Sequence, residues 1–234
     1  MIQHDRGSVL VTGSSSGIGR AIAQHFLAQD RDVLGLSRSA GSLAGAAGFT
    51  HIPTDLASAT ELSSALDAVQ GYGPVETIVH AAGLQFSGRL GQLDHGGSER
   101  MWRVHVLAAE HLVNDLVPTM RDHGRVILIG SRTASGVPGK SQYGATKAAL
   151  VAMCRAWAAE LAPRGITVNV VAPGPTDTPM LQDLNRAATP VVAPPLGRLV
   201  RPEEVASLVG FLAGPTGAMI TGQHVAICGG TSLA

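Results

Sequence analysis

The sequence lacks the residues that mark a disulfide framework, a metal centre or a polyanion-binding surface. Only two cysteines occur, Cys154 and Cys228. They are too few for a disulfide framework and lack metal-type spacing, so they read as buried thiols of a protein in a reducing cytoplasm. The nine histidines include no HxH or HExxH pattern, which argues against a metal site. Seventeen basic and seventeen acidic side chains cancel with no run of like charge, so neither nucleic acid nor a membrane surface is expected as a partner. No stretch reaches the roughly 20 apolar residues of a membrane helix. The start, MIQHDRGSVLVTG, has too short an apolar run for a signal peptide or an anchor. A small molecule is the expected partner. Aromatic residues are scarce at 3%, and one of the two tyrosines lies in SQYGATKAAL, four residues before a lysine.

With 234 residues and 45% apolar content, the chain can fill the core of one large α/β domain. One rhythm runs through it, short β-branched runs alternating with longer segments of helical period. Strands are expected at 8–12, 32–37, 49–55, 75–83, 125–130, 166–174 and in QHVAICGG at the end. Between them, Ile18, Ile22 and Phe26 recur every fourth residue, and Ser58-Ala59-Thr60-Glu61 is a capping-box signature. Further helices are expected at about 97–121 and 142–162 and after Pro202. Such alternation predicts a doubly wound parallel sheet of about seven strands with helices on both faces, in one domain over 1–234. The Pro-rich stretch 174–202 lacks strand signals, and its part 179–200 reads as a lid over the substrate site.

TGSSSGIG, Thr12 to Gly19, falls between the first strand and the first helix. There, backbone N–H groups at a helix N-terminus can face a pyrophosphate, and glycine removes the Cβ atoms that would block its approach. Gly13, Gly17 and Gly19 are therefore candidate dinucleotide contacts, although a tight strand-to-helix turn needs glycine too. The second strand ends on Ser37-Arg38, where an NAD site would offer an acidic group to the ribose; a guanidinium suits a 2′-phosphate and favours NADP over NAD. Asp55 is placed either for an adenine edge or to cap the turn after it. HAAG at 80–83 offers small residues to a flat ring or to a closely packed helix.

Tyr143 and Lys147 stand at i and i+4 on an expected helix and so share a face. A free phenol with pKa of about 10 is a poor base at neutrality, and a neighbouring ammonium stabilises the phenolate. Lowered by two to three units, roughly, the tyrosine enters the range for proton exchange with a carbinol or carbonyl oxygen. Ser131, twelve residues upstream and just past the fifth strand, can donate to that oxygen. Taken alone, the pair fits an amphipathic helix with a snorkelling lysine better than a catalytic pair.

With TGSSSGIG, HAAG, GRVILIGS at 124–131, YGATK at 143–147, PGPTDT at 173–178 and PEEVASLVGFLA…ITGQ at 202–223, the chain resembles the short-chain dehydrogenase/reductase family over nearly its whole length. The resemblance implies a Rossmann-type fold and NAD(P)-linked interconversion of an alcohol and a carbonyl. It assigns Ser131 to polarising the substrate oxygen, Tyr143 to general acid/base catalysis, and Lys147 to the nicotinamide ribose and the tyrosine's pKa. It sets the dinucleotide against Gly13, Ser15, Ser16, Gly17, Ile18 and Gly19, then Ser37 and Arg38, Asp55 and Leu56, and Ala81, Ala82 and Gly83. Pro173, Gly174, Thr176 and Thr178 fall beside the nicotinamide. The family's asparagine, which supports a water-mediated proton relay, is replaced by His105, either a relay that titrates near 6.5 or a packing residue. A homo-oligomer, dimer or tetramer, built on the two long helices is also implied.

The mostly apolar lid favours a compact, largely neutral carbonyl or alcohol. Arg132 and Arg89 are within reach of the rim, where they could bind an acid group, but nothing in the sequence fixes their direction. The basic cluster expected for a carrier-protein or coenzyme A substrate is not evident along the chain, which leaves 3-oxoacyl thioesters as an alternative because relatives reduce them. A nucleotide sensor on the same fold would tolerate loss of Ser131, Tyr143 and Lys147. A sugar epimerase or dehydratase would need a longer carboxyl-terminal substrate domain.

Overall fold

A computed structural model of the chain describes residues 7–183 and 189–233. Its seven strands are β1 (Ser8–Thr12), β2 (Val33–Ser37), β3 (Phe49–Pro53), β4 (Val75–His80), β5 (Arg125–Ile129), β6 (Thr167–Pro173) and β7 (His224–Ile227). They form one sheet in the order β3-β2-β1-β4-β5-β6-β7, and every neighbouring pair is parallel. From β1 the chain winds outward to β3, returns to β4 on the other side of β1, and winds outward again to β7. The carboxyl ends of β1 and β4 therefore lie side by side, with Thr12 opposite His80. This reversal is where an open α/β sheet leaves a crevice for a ligand.

Among the described residues, six α-helices flank the sheet: α1 (Gly17–Leu27), α2 (Ala59–Gln70), α3 (His95–Trp102), α4 (Ala108–Leu116), α5 (Ser141–Leu161) and α6 (Pro202–Ala213). Alternate residues of the strands feed two cores. Leu10, Val126 and Leu128 pack with Leu62, Leu66, Leu112 and Leu150 from α2, α4 and α5. Val9, Val11 and Ile127 pack with Ile22 and Phe26 of α1 and Val205 and Val209 of α6. With both faces covered, β5 and β6 are buried along their whole length, which is why Val126–Ile129 of β5 and Val170–Pro173 of β6 read as apolar runs and not as alternating ones.

The differences from the sequence expectations have local causes. The helix expected at 97–121 is divided: α3 runs into a π-helical stretch, Arg103–Leu107, before α4 begins. The strand expected at 75–83 stops at His80, because the N–H groups of Ala81 and Ala82 turn onto Thr12 Oγ1 at 3.1 and 3.0 Å. Only half of the capping box forms: Ser58 Oγ accepts from Glu61 N–H, but the Glu61 carboxylate takes the Asp55 N–H, not that of Ser58. At α6, Pro202 occupies the first turn and Glu204 accepts from Arg201 N–H at 2.9 Å. Within 174–202, a bridge between Thr176 and Val200 pins the two ends together. Residues 184–188 of the expected lid lie outside the described residues. Trp157 packs on the core, whereas Trp102 is exposed.

Candidate active site

The crevice is a cavity of about 710 Å³ at the carboxyl ends of the strands, and every candidate named from the sequence except His105 lines it. On its dinucleotide side, Gly13 and Gly17 have φ of 69° and 51°, the left-handed region that favours glycine. A Cβ on Gly19 would lie 2.3 Å from Gly13 O, and one on Gly13 would lie 2.8 Å from Ala82 Cα. Helix α1 begins without a side-chain cap, since Ser16 is extended and makes no such bond, so its first N–H groups face the cavity open. This uncapped, glycine-lined end is chemically suited to a pyrophosphate. Arg38 is exposed at the end of β2, and among the described residues it forms no ion pair. Asp55 lines the cavity, and its Oδ1 caps the turn after β3 by accepting from Ala57 N–H at 3.0 Å. The residues present fit a nicotinamide dinucleotide.

On the other side stand Ser131, Tyr143 and Lys147, all buried. Ser131 Oγ accepts from both the N–H and the Oγ1–H of Thr133, at 3.2 and 2.9 Å. With both lone-pair directions filled, the serine proton is left to donate to a third partner. Lys147 Nζ donates to Ile129 O at 2.9 Å and sits 5.8 Å from the centre of the Tyr143 ring. Burial pushes the lysine down to about 7. The i, i+4 spacing on α5 thus does bring the ammonium beneath the phenol.

His105 lies outside the cavity, completely buried in the π-helical stretch. Its Nε2 accepts from Leu84 N–H at 3.0 Å, and its Nδ1 lies 2.8 Å from Thr146 Oγ1. Thr146 gives its own proton to Tyr143 O at 2.8 Å, so it must accept from Nδ1–H. The imidazole is therefore the neutral Nδ1–H tautomer with both nitrogens engaged. Burial, reinforced by Lys147 and His80, holds its pKa well below 6.5, contrary to a group that titrates near that value.

His80, which occupies the first place in HAAG, has the opposite tautomer. Thr12 Oγ1 accepts from Ala81 and Ala82, so its proton goes to His80 Nδ1, 3.0 Å away. The ring proton is then on Nε2, which faces the backbone of Val104 and His105 without a well-aligned bond. Burial, then Lys147, pushes His80 down to about 3. At Thr12, Thr133 and Thr146 a threonine carries no positional signal in the sequence, and only the third dimension pairs each with its partner.

Among the described residues no group of three or more His, Cys, Asp or Glu is placed to hold a metal, and no helix is long and apolar enough to cross a membrane. A family model described as enoyl-(acyl carrier protein) reductase matches residues 13–232. The chain is 34% identical to a cyclic-di-GMP-binding biofilm dispersal mediator protein of Escherichia coli K12, over 95% of each chain. It is 35% identical to the 3-oxoacyl-(acyl-carrier-protein) reductase of the same organism, over 94% of this chain and 95% of that one. A short-chain dehydrogenase from Burkholderia cenocepacia, solved in complex with NADP, superposes with a TM-score of 0.85 at 32% identity, covering 97% of this chain and 98% of that one. On these likenesses and the seven-stranded parallel sheet, the chain belongs to the short-chain dehydrogenase/reductase family of NAD(P)-dependent oxidoreductases, which interconvert carbonyls and alcohols.

Proposed function

We propose that the cleft binds NADP(H) and that Ser131, Tyr143 and Lys147 carry the proton-transfer half of a carbonyl–alcohol interconversion. The observation that carries this reading is their convergence, from β5 and α5, on the one cavity that also holds the open end of α1. When bound, the dinucleotide supplies or accepts the hydride. Ser131, its acceptor directions filled by Thr133, donates to the substrate oxygen and polarises the carbonyl. Tyr143 gives its proton to the same oxygen during reduction and takes it back during oxidation. Lys147, positioned by Ile129 O, favours the phenolate by its charge.

The exposed Arg38 supports NADP over NAD, because its fork suits the 2′-phosphate. The relative solved with NADP supports the same choice. His105 acts here as a positioning residue. Neutral and doubly engaged, it links the loop at Leu84 to Thr146, and through Thr146 to the backbone of Tyr143. The likeness to a 3-oxoacyl reductase supports an acyl thioester as one substrate form. A homo-oligomer belongs to the same proposal, since exposed Ala145, Ala152, Ala156 and Ala159 leave the outer face of α5 smooth enough for close helix packing.

The relative named for cyclic-di-GMP binding supports a second reading, a nucleotide sensor that performs no chemistry. Tyr143→Phe separates the two. Turnover of carbonyl substrates with NADPH is expected to fall by about 100-fold or more while NADPH still binds. Unchanged turnover sinks the proposed mechanism, and a wild-type protein that binds nucleotide but reduces no carbonyl favours the sensor.

A further inference from the structure

At its exposed edge, the same cavity is lined by Arg89, Arg100 and Arg132, with Lys140 beside them. Along the chain these residues are scattered: Arg89 is in the loop after β4, Arg100 in α3, Arg132 next to Ser131, and Lys140 just ahead of α5. The fold joins them. Gly88 N–H donates to Gly139 O at 3.0 Å, so Arg89 and Lys140 leave neighbouring points of two linked loops. Phe86 N–H meets Met101 Sδ at 3.4 Å, which ties the residue next to Arg100 to the first of those loops. Gln142 Nε2 donates to Asp94 O at 2.9 Å and secures α3 against α5.

Among the described residues, the side chains of Arg89, Arg100 and Arg132 take part in no ion pair. The acidic side chains on the cavity wall are Asp183 and Asp55, and Asp55 follows β3, four strands away from β5. Guanidinium groups without counter-ions around a cleft with low-dielectric walls focus a positive potential into it. Their planar forks match a carboxylate or phosphate better than a neutral group. The wall also includes apolar Phe86, Val137, Met180 and Val191.

We propose that Arg89, Arg100 and Arg132 bind an anionic group, carboxylate or phosphate, at the end of the substrate remote from the reacting carbonyl, with an apolar spacer between the two. This rests on the oxidoreductase reading of the same cleft. Along the sequence these arginines are too far apart to read as a basic cluster; the fold brings them to one rim.

The test compares a medium-chain keto acid, its methyl ester and a 3-oxoacyl coenzyme A thioester as substrates with NADPH. For the wild type, kcat/KM for the keto acid or the thioester is expected to exceed that for the ester by about 10-fold or more, mainly through KM, and to fall with added salt. Preference for the acid identifies a carboxylate, and preference for the thioester a phosphate-bearing carrier. In the Arg89→Ala/Arg132→Ala double variant, the anion-to-ester ratio is expected to collapse towards one. Equal use of anion and ester by the wild type, or a ratio that survives the double variant, overturns the proposal while leaving the oxidoreductase intact. Should no carbonyl be reduced at all, the oxidoreductase reading itself fails. Calorimetric titration of the keto acid and of coenzyme A then decides the anion site alone, and binding that is absent or unaffected by the double variant overturns it.

Discussion

Two completely buried neutral histidines should make the free protein lose stability as the pH falls below 6.5, and the structure sets the size of the effect. In the unfolded chain a histidine titrates at about 6.5. In the folded chain His80 titrates at about 3 and His105 well below 6.5, both chiefly because burial disfavours the cation. The folded pKa values are depressed, so this stability is fully present above 6.5 and is lost as the pH falls towards the folded values. Each histidine should add a slope of about 1.4 kcal/mol per pH unit in that window. At pH 5, about 1.5 units below the unfolded value, His80 alone should have cost about 2 kcal/mol, and His105 adds to the loss in the same direction. For a chain of this size the His80 share corresponds to a fall in Tm of about 4–8 °C. Lys147, at about 7, is largely protonated in both states below pH 6 and adds little slope there. Urea unfolding of the wild type at intervals from pH 7.5 to 5, compared with His80→Asn and His105→Asn, reads the effect directly. Each substitution should remove about one proton's worth of slope. A slope unchanged in the double variant would refute both the buried neutral tautomers and the role assigned to them.

Other expectations follow from single contacts. Thr133→Val keeps the shape near Ser131 but removes the Oγ1–H bond, freeing an acceptor on the serine and loosening its aim. We expect kcat to fall by about 10-fold with little change in KM, a cost of about 1.4 kcal/mol; equal loss for a substrate with no carbonyl-directed bond to Ser131 would argue for general unfolding. Arg38→Ala should weaken NADPH binding by about 10-fold or more while leaving NADH binding nearly unchanged. Fluorescence titration checks this, and a parallel loss for both nucleotides contradicts a 2′-phosphate contact.

Much of the fold was legible because its signals are local. Gly13 and Gly19 have no room for a Cβ, and a glycine repeat shows that along the chain. The buried run RVILI of β5 follows from a strand covered on both faces. Tyr143 and Lys147 share a helix face by spacing alone. What stayed hidden depends on atoms brought together across the chain. The π-helical stretch at Arg103–Leu107 is invisible in a pattern of apolar residues that continues through it. The arginines at the mouth are separated by up to 43 positions, and contacts distant in sequence, Gly88–Gly139, Phe86–Met101 and Gln142–Asp94, draw their segments together.

His105 shows why identity alone did not decide a role. From sequence, an imidazole in an asparagine's place can donate, accept or titrate, and nothing chooses among these. The choice is made by Thr146, whose proton is already committed to Tyr143 O; its oxygen can only accept from the ring, and the Leu84 N–H then fills the other nitrogen. At His80 the same chemistry runs in reverse, because Ala81 and Ala82 occupy the Thr12 oxygen and force its proton onto the ring. The two threonines thus fix opposite tautomers in two histidines that face one lysine. Neither ring has a reason to take up a proton near neutrality, since burial and the Lys147 ammonium both oppose it. With both rings neutral, neither adds charge beside Tyr143; the field that favours the phenolate comes from Lys147, whose burial-lowered pKa of about 7 makes that field grow as the pH falls through neutrality.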